Sequence, residues 1–123
     1  MTKHVLVIDD EVAINIIVKT ALELTVGWGV TSVDKAEDGL AIAQQKLPDL
    51  VLLDVNMPRL DGPSVFKLLQ ADSATQSIPV IFLTAKARET DKKELSALGV
   101  AGIIVKPFEP EQLATQIAEI LGW

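Results

Sequence analysis

Five polar residues with useful chemistry stand at or just after the ends of apolar runs. Asp9 closes His4 to Ile8 and Asp10 follows it; Asp54 closes Leu50 to Leu53; Thr84 closes Ile78 to Leu83; Lys106 follows Gly102 to Val105. Singly, each has an ordinary reading as a solvated turn or a helix cap. As a set they support something more. Three carboxylates brought together repel one another and are pushed toward protonation unless cations intervene. With one ammonium beside them, two negative charges remain, the charge of one divalent ion. Carboxylates, a backbone carbonyl and waters form an all-oxygen set suited to Mg²⁺ or Mn²⁺. In such a balanced cluster one carboxylate can act as a nucleophile toward a phosphoryl group. The ion and Lys106 would offset charge on the transferring oxygens, and Thr84 could donate to a third.

The elements that must position these residues follow from periodicity. The runs at His4–Asp9, Val30–Val33, Leu50–Asp54, Ile78–Thr84 and Gly102–Val105 read as strands, with Val30–Val33 at an edge. Helical spacing falls between them. Ala13–Thr25 carries Ile14, Ile17, Val18, Ala21 and Leu24; Glu37–Leu47 carries Leu40, Ala43 and Leu47. Asp61-Gly62-Pro63 opens a third helix with Val65, Phe66 and Leu69 inward, because proline suits a first helical turn. A charged helix spans Thr90–Leu98, and Glu109-Pro110-Glu111 opens a last one with Leu113, Ile117, Ile120 and Leu121 inward. Strict alternation of strand and helix predicts an α/β fold: one parallel sheet with helices on both faces, joined by right-handed crossovers. All carboxyl ends of such strands share one rim, where open α/β sheets place their ligand sites.

Composition narrows the function. With 123 residues, 49% of them hydrophobic, the chain predicts a single packed domain over 1–123. The absence of cysteine removes disulfides and thiolate chemistry. A net charge of -6 disfavours direct contact with nucleic acid, which needs a basic footprint. No run is long enough to cross a membrane and no secretory signal is visible, so the expected location is the cytoplasm.

Taken in order, Ile8-Asp9-Asp10, Leu53-Asp54-Val55-Asn56-Met57-Pro58, Asp61-Gly62, Thr84-Ala85 and Val105-Lys106-Pro107-Phe108 resemble the receiver domain of two-component response regulators over the whole chain. The resemblance implies a flavodoxin-like five-stranded sheet in the order 2-1-3-4-5. It implies that Asp54 accepts a phosphoryl group from a sensor histidine kinase or histidine phosphotransfer protein, and that the domain assists this reaction without being an enzyme. Asp10, Asp54 and the backbone carbonyl of Asn56 would bind Mg²⁺, with Asp9 acting through water. Thr84 and Lys106 would contact the phosphoryl group, and a cis Lys106-Pro107 bond would aim the lysine inward. Output would pass to a downstream protein through the surface of helix 4, strand 5 and helix 5, with no attached output domain.

One position departs from the family pattern. Where relatives often carry an aromatic residue three positions before the lysine, this chain has Ile103, so the usual readout of phosphorylation is open. The run Lys86–Glu94 has no large apolar residue, which leaves its helix thinly anchored by Leu95 and Leu98. His4 is the single histidine, so a phosphoryl donor must be external. Trp28 and Trp123 read as covers for the ends of the core, and Ile16 as an exposed apolar side chain.

Two other function classes compete. A receiver-like interaction module that works without phosphorylation would tend to lose an acid or the lysine; all are retained. An aspartyl-phosphate phosphatase would need an acid two residues after the nucleophile, where this chain has Asn56, and a nucleotide-binding relative would need a glycine-rich first turn, where it has Asp9-Asp10-Glu11.

Overall fold

Side chains on adjacent strand positions point to opposite faces of a sheet, and here both faces are apolar. The computed structural model describes residues 2–86 and 88–123; Met1 and Ala87, the latter inside the charged run, lie outside the description. Strands β1 (His4–Ile8), β2 (Gly29–Val33), β3 (Leu50–Asp54), β4 (Val80–Thr84) and β5 (Gly102–Val105) alternate with helices α1 (Val12–Thr25), α2 (Ala36–Lys46), α3 (Gly62–Ala71), α4 (Glu89–Ser96) and α5 (Leu113–Leu121). The five strands are parallel in the order β2-β1-β3-β4-β5, as expected, with β2 at one edge.

Two cores result. Val5, Val7, Leu50, Leu52, Ile81, Leu83 and Ile104 pack with Val18 and Leu22 of α1 and Leu113 and Ile117 of α5. Leu6, Ile8, Val51, Leu53, Val80 and Phe82 pack on the other face with Ala43 of α2, Val65, Phe66 and Leu69 of α3, and Leu95 of α4. Each fully buried side chain of this size contributes about 1.5–3 kcal/mol. The central strands β1, β3 and β4 therefore make a stiff platform for whatever stands at their carboxyl ends.

Local chemistry fixes the helix that follows the phosphoacceptor candidate. Asp61 accepts a hydrogen bond from the Ser64 N–H at 2.9 Å and caps α3, with Pro63 in the first turn. That bond holds the Asp61 carboxyl below its ordinary range. Gly62 is required by close approach: a Cβ there would lie 2.5 Å from the Asp54 carbonyl oxygen and 2.8 Å from Val55 Cα.

Several elements differ from the periodic reading. On α1, Ile17 and Leu24 face solvent, Leu24 at 81% exposure, while Asn15 and Leu22 turn inward with Val18 and Ala21. The helix is apolar around most of its circumference, so spacing alone does not select the buried face. Leu47 falls outside α2, in a left-handed conformation, and is exposed. β4 begins at Val80, with the Pro79 carbonyl accepting from the Val51 N–H at 3.0 Å. The last helix opens with a short 3₁₀ turn, Pro110–Gln112. In α4 only Leu95 is buried; Leu98 lies beyond the helix and is 36% exposed. Trp28 and Trp123 meet edge to face at 5.2 Å, with the Lys3 ammonium 4.7 Å from the Trp123 ring. They close the end of the sheet opposite the aspartates.

Candidate functional site

Register and alternation bring the site together. Ile8 pairs with Leu53 across β1 and β3, so the next step sets Asp9 level with Asp54. Both continue the parity of the residues facing α1 and α5, namely Val5 and Val7 on β1 and Leu50 and Leu52 on β3. Lys106 continues the parity of Ile104, on that same face. The β4–β5 ladder extends one bond beyond β5, from Lys106 N–H to the Thr84 carbonyl at 2.8 Å, which fixes the lysine backbone at the rim. The Lys106-Pro107 peptide is cis.

The side chains converge accordingly. Lys106 Nζ donates to Asp9 Oδ2 at 2.8 Å, to Asp54 Oδ1 at 3.3 Å and to Glu11 Oε1 at 3.5 Å. Asp9 is fully buried and Asp54 nearly so, whereas Asp10 is exposed. Carboxylate oxygens of Asp9, Asp10 and Asp54 all lie within 4.8 Å of one another. Asn56 sits on the exposed loop beyond β3, and its N–H donates to Asp54 Oδ1 across a long 3.4 Å. Thr84 is buried at the end of β4, one step past the Asp54–Leu83 pair, and its hydroxyl accepts from the Lys86 N–H at 3.0 Å.

The electrostatics follow from this crowding. Burial, the adjoining Asp10 carboxyl and the charge on Asp9 push Asp54 up to about 7, and Lys106 offsets this only in part. Burial alone would lower Lys106, but its bond to Asp9 and the charges of Asp9 and Asp54 hold the ammonium above its ordinary range. The site thus carries more negative charge than its lysine balances. An all-oxygen donor set with excess negative charge fits a hard divalent cation.

Two contributors escape the sequence reading. Glu11 reaches Lys106, and its N–H donates to Asp9 Oδ1 at 2.9 Å. Asn15, buried on α1, donates to the carbonyls of Asp9 and Val33. No spacing signal marked Asn15 as inward, because α1 is apolar around most of its circumference.

The sequence matches the family model for the response regulator receiver domain over residues 5–118. The chain belongs to the response regulator receiver domain family. Its relatives include the probable transcriptional regulator ycf27 of Cyanophora paradoxa, 40% identical over 119 residues that cover 97% of this chain and 48% of the relative. The alkaline phosphatase synthesis transcriptional regulatory protein PhoP of Bacillus subtilis is 36% identical, with 98% of this chain and 49% of that protein covered. The receiver domain thus spans about half the length of these curated relatives. Chemotaxis response regulator CheY4 of Vibrio cholerae superposes with a TM-score of 0.90 at 31% identity, covering 98% of this chain and 99% of that one. As a receiver domain the chain is a two-component signalling switch. Among the described residues no helix is long and apolar enough to cross a membrane.

Proposed function

We propose that this receiver domain is a phosphoacceptor, with Asp54 taking a phosphoryl group from the phosphohistidine of a sensor kinase or phosphotransfer protein. The observation that carries the reading is the convergence of Asp9, Asp10 and Asp54 around Lys106 at the rim. Asp10, Asp54 and the Asn56 carbonyl would hold Mg²⁺ or Mn²⁺, with Asp9 acting through water. When bound, the ion neutralises charge, which keeps Asp54 ionised near neutral pH and offsets charge on phosphoryl oxygens.

The chain's own residues do the rest. An Asp54 carboxylate oxygen attacks phosphorus, the bond from phosphorus to the donor imidazole breaks, and an acyl phosphate forms. Lys106, already bonded to Asp54, exchanges that bond for one to a phosphoryl oxygen while keeping Asp9. Thr84 offers its hydroxyl proton to a second oxygen. The bond from Asp9 to Lys106 places the ammonium before the donor arrives, so little reorganisation accompanies the transfer. The acyl phosphate is later hydrolysed, which resets the switch.

A protein donor also has a surface to meet. Val12 and Ile16 on α1, close behind Asp10, are 59% and 60% exposed and lead from the rim along the helix. Downstream, α4 is the α-helix least held by the core, with Leu95 its one buried residue. Ile103 is partly buried and packs on the same face as Leu95. A shift of Thr84 toward a phosphoryl group would thus be read as a shift of α4 against β5 and α5, with Ile103 repacking in place of an aromatic ring. The reading is tested by incubation with acetyl phosphate and Mg²⁺ followed by intact mass. One added phosphoryl group in the wild type and none in Asp54→Asn supports it; no adduct in the wild type with any small donor or metal overturns it.

A further inference from the structure

Asn15 is a buried polar side chain on a helix face otherwise filled by Val18, Ala21 and Leu22, and it is 6% exposed. Its Nδ2 donates to the Asp9 carbonyl at 3.0 Å and to the Val33 carbonyl at 3.3 Å. Two carbonyls as partners fix which end of the amide faces them. Its Oδ1 is buried and has no hydrogen-bond partner among the described residues. An unsatisfied buried acceptor costs about 1–3 kcal/mol. A leucine at this point of the helix would remove that orphan acceptor and add to the core, but it would leave the Asp9 carbonyl without its Asn15 donor.

The partners it does have suggest what it gains. The Asp9 carbonyl belongs to the Asp9–Asp10 peptide, so holding it sets the plane from which Asp10 departs. The Val33 carbonyl also accepts from the Asp9 N–H at 3.2 Å, so Asn15 ties α1, β1 and β2 together at one point. With Glu11 N–H on Asp9 Oδ1 and Lys106 on Oδ2, Asp9 is held at its amide, its carbonyl and both carboxylate oxygens. Asp10 is then the exposed member of an otherwise fixed turn.

We infer that Asn15 is a positioning residue: through the Asp9 carbonyl it fixes the Asp9–Asp10 turn, and so presents the Asp10 carboxylate to a divalent cation. The inference rests on the phosphoacceptor reading for the cation, but not for the turn. Outer partners that orient metal-ligating residues typically change affinity 10–100-fold when removed. The test compares Asn15→Leu, Asn15→Ala and Asn15→Gln with wild type in three measurements. These are thermal midpoint, calorimetric Mg²⁺ affinity without phosphodonor, and residue-resolved amide exchange in metal-free protein.

The expected result is that Asn15→Leu, which exchanges one unpaired acceptor for another, melts close to the wild-type temperature while binding Mg²⁺ about tenfold more weakly. Exchange rises at Asp9 and Glu11 in both Leu and Ala variants and stays unchanged in β3 and α3. Asn15→Gln, which keeps the amide donors, recovers part of both effects. Wild-type exchange at Asp9 and Glu11 in the Leu and Ala variants overturns the inference. So does exchange that rises uniformly along the chain, which marks a general loss of packing. A wild type that binds no Mg²⁺ counts against the phosphoacceptor reading, and the metal-free exchange then still decides whether Asn15 fixes the turn.

Discussion

Lys106 Nζ lies closer to Asp9, at 2.8 Å, than to Asp54, at 3.3 Å, although 97 residues separate lysine and Asp9 in sequence. The shorter bond goes to the carboxylate that is completely buried. Asp9 therefore anchors the ammonium, and Asp54 keeps a charge that its neighbours only partly balance. This division suits a nucleophile held beside a fixed cation.

Removing that cation should expose the cost of the buried acid. In Lys106→Met the apolar stem is kept and the charge is lost, leaving Asp9 without its ammonium. Breaking a buried pair from one side costs about 3–5 kcal/mol. Urea unfolding of metal-free protein near neutral pH should show a loss approaching that range, and Asp9→Asn in the same background should restore part of it. A Lys106→Met variant as stable as wild type contradicts this division of charge.

The raised Asp54 gives a pH dependence of definite sign. Its ordinary value is 3.8 and its value in the folded chain is about 7. Between these, the folded state holds a proton that the unfolded state has released. Stability from this group is thus full below pH 4 and is lost as pH rises through 7. Asp54→Asn removes the loss, so in metal-free protein it should exceed wild type by about 1–3 kcal/mol at pH 8. The gap should shrink toward pH 5, and added Mg²⁺ should narrow it at pH 8 by stabilising the wild type. Denaturant midpoints across pH check both directions.

At the foot of the site, Gly62 permits the close return of the chain under Asp54. Both nearest neighbours of an added Cβ are backbone atoms, so no side chain can swing aside. Gly62→Ala should destabilise by about 1–3 kcal/mol, as overpacking does. It should also slow phosphorylation by acetyl phosphate more than Asp61→Ala, which removes only the cap of α3. Equal rates in the two variants would show that the loop moves without disturbing Asp54.

The thin anchoring of α4 predicts where the switch is heard. Amide exchange between residues 88 and 98 should change on phosphorylation while β1 and β3 stay protected. Identical exchange in the two states would remove α4 from the output.

How much of this was legible in the sequence depends on what each residue answers to. The central strands β1, β3 and β4 were plain because buried parallel strands are apolar at nearly every position, and their ends mark the rim directly. Asp54, Asp9 and Lys106 inherit their positions from those ends. The face of α1 was not plain, because Ile16, Ile17 and Leu24 outside are as apolar as Val18 and Leu22 inside. A helix whose outer face is also apolar carries no contrast for periodicity to detect. Glu11 and Asn15 were missed for another reason: their roles are hydrogen bonds to the Asp9 carboxylate, to backbone carbonyls and with Lys106, and strand-end logic does not reach them.

The central claim is that one particular carboxylate among three neighbours takes the phosphoryl group. Reduction of the acetyl-phosphate-treated protein with borohydride converts an aspartyl phosphate to homoserine, and peptide mapping then locates it. The account predicts homoserine at position 54 alone, dependent on Mg²⁺. Homoserine at position 9 or 10, or none in a protein whose mass shows the added phosphoryl group, contradicts it.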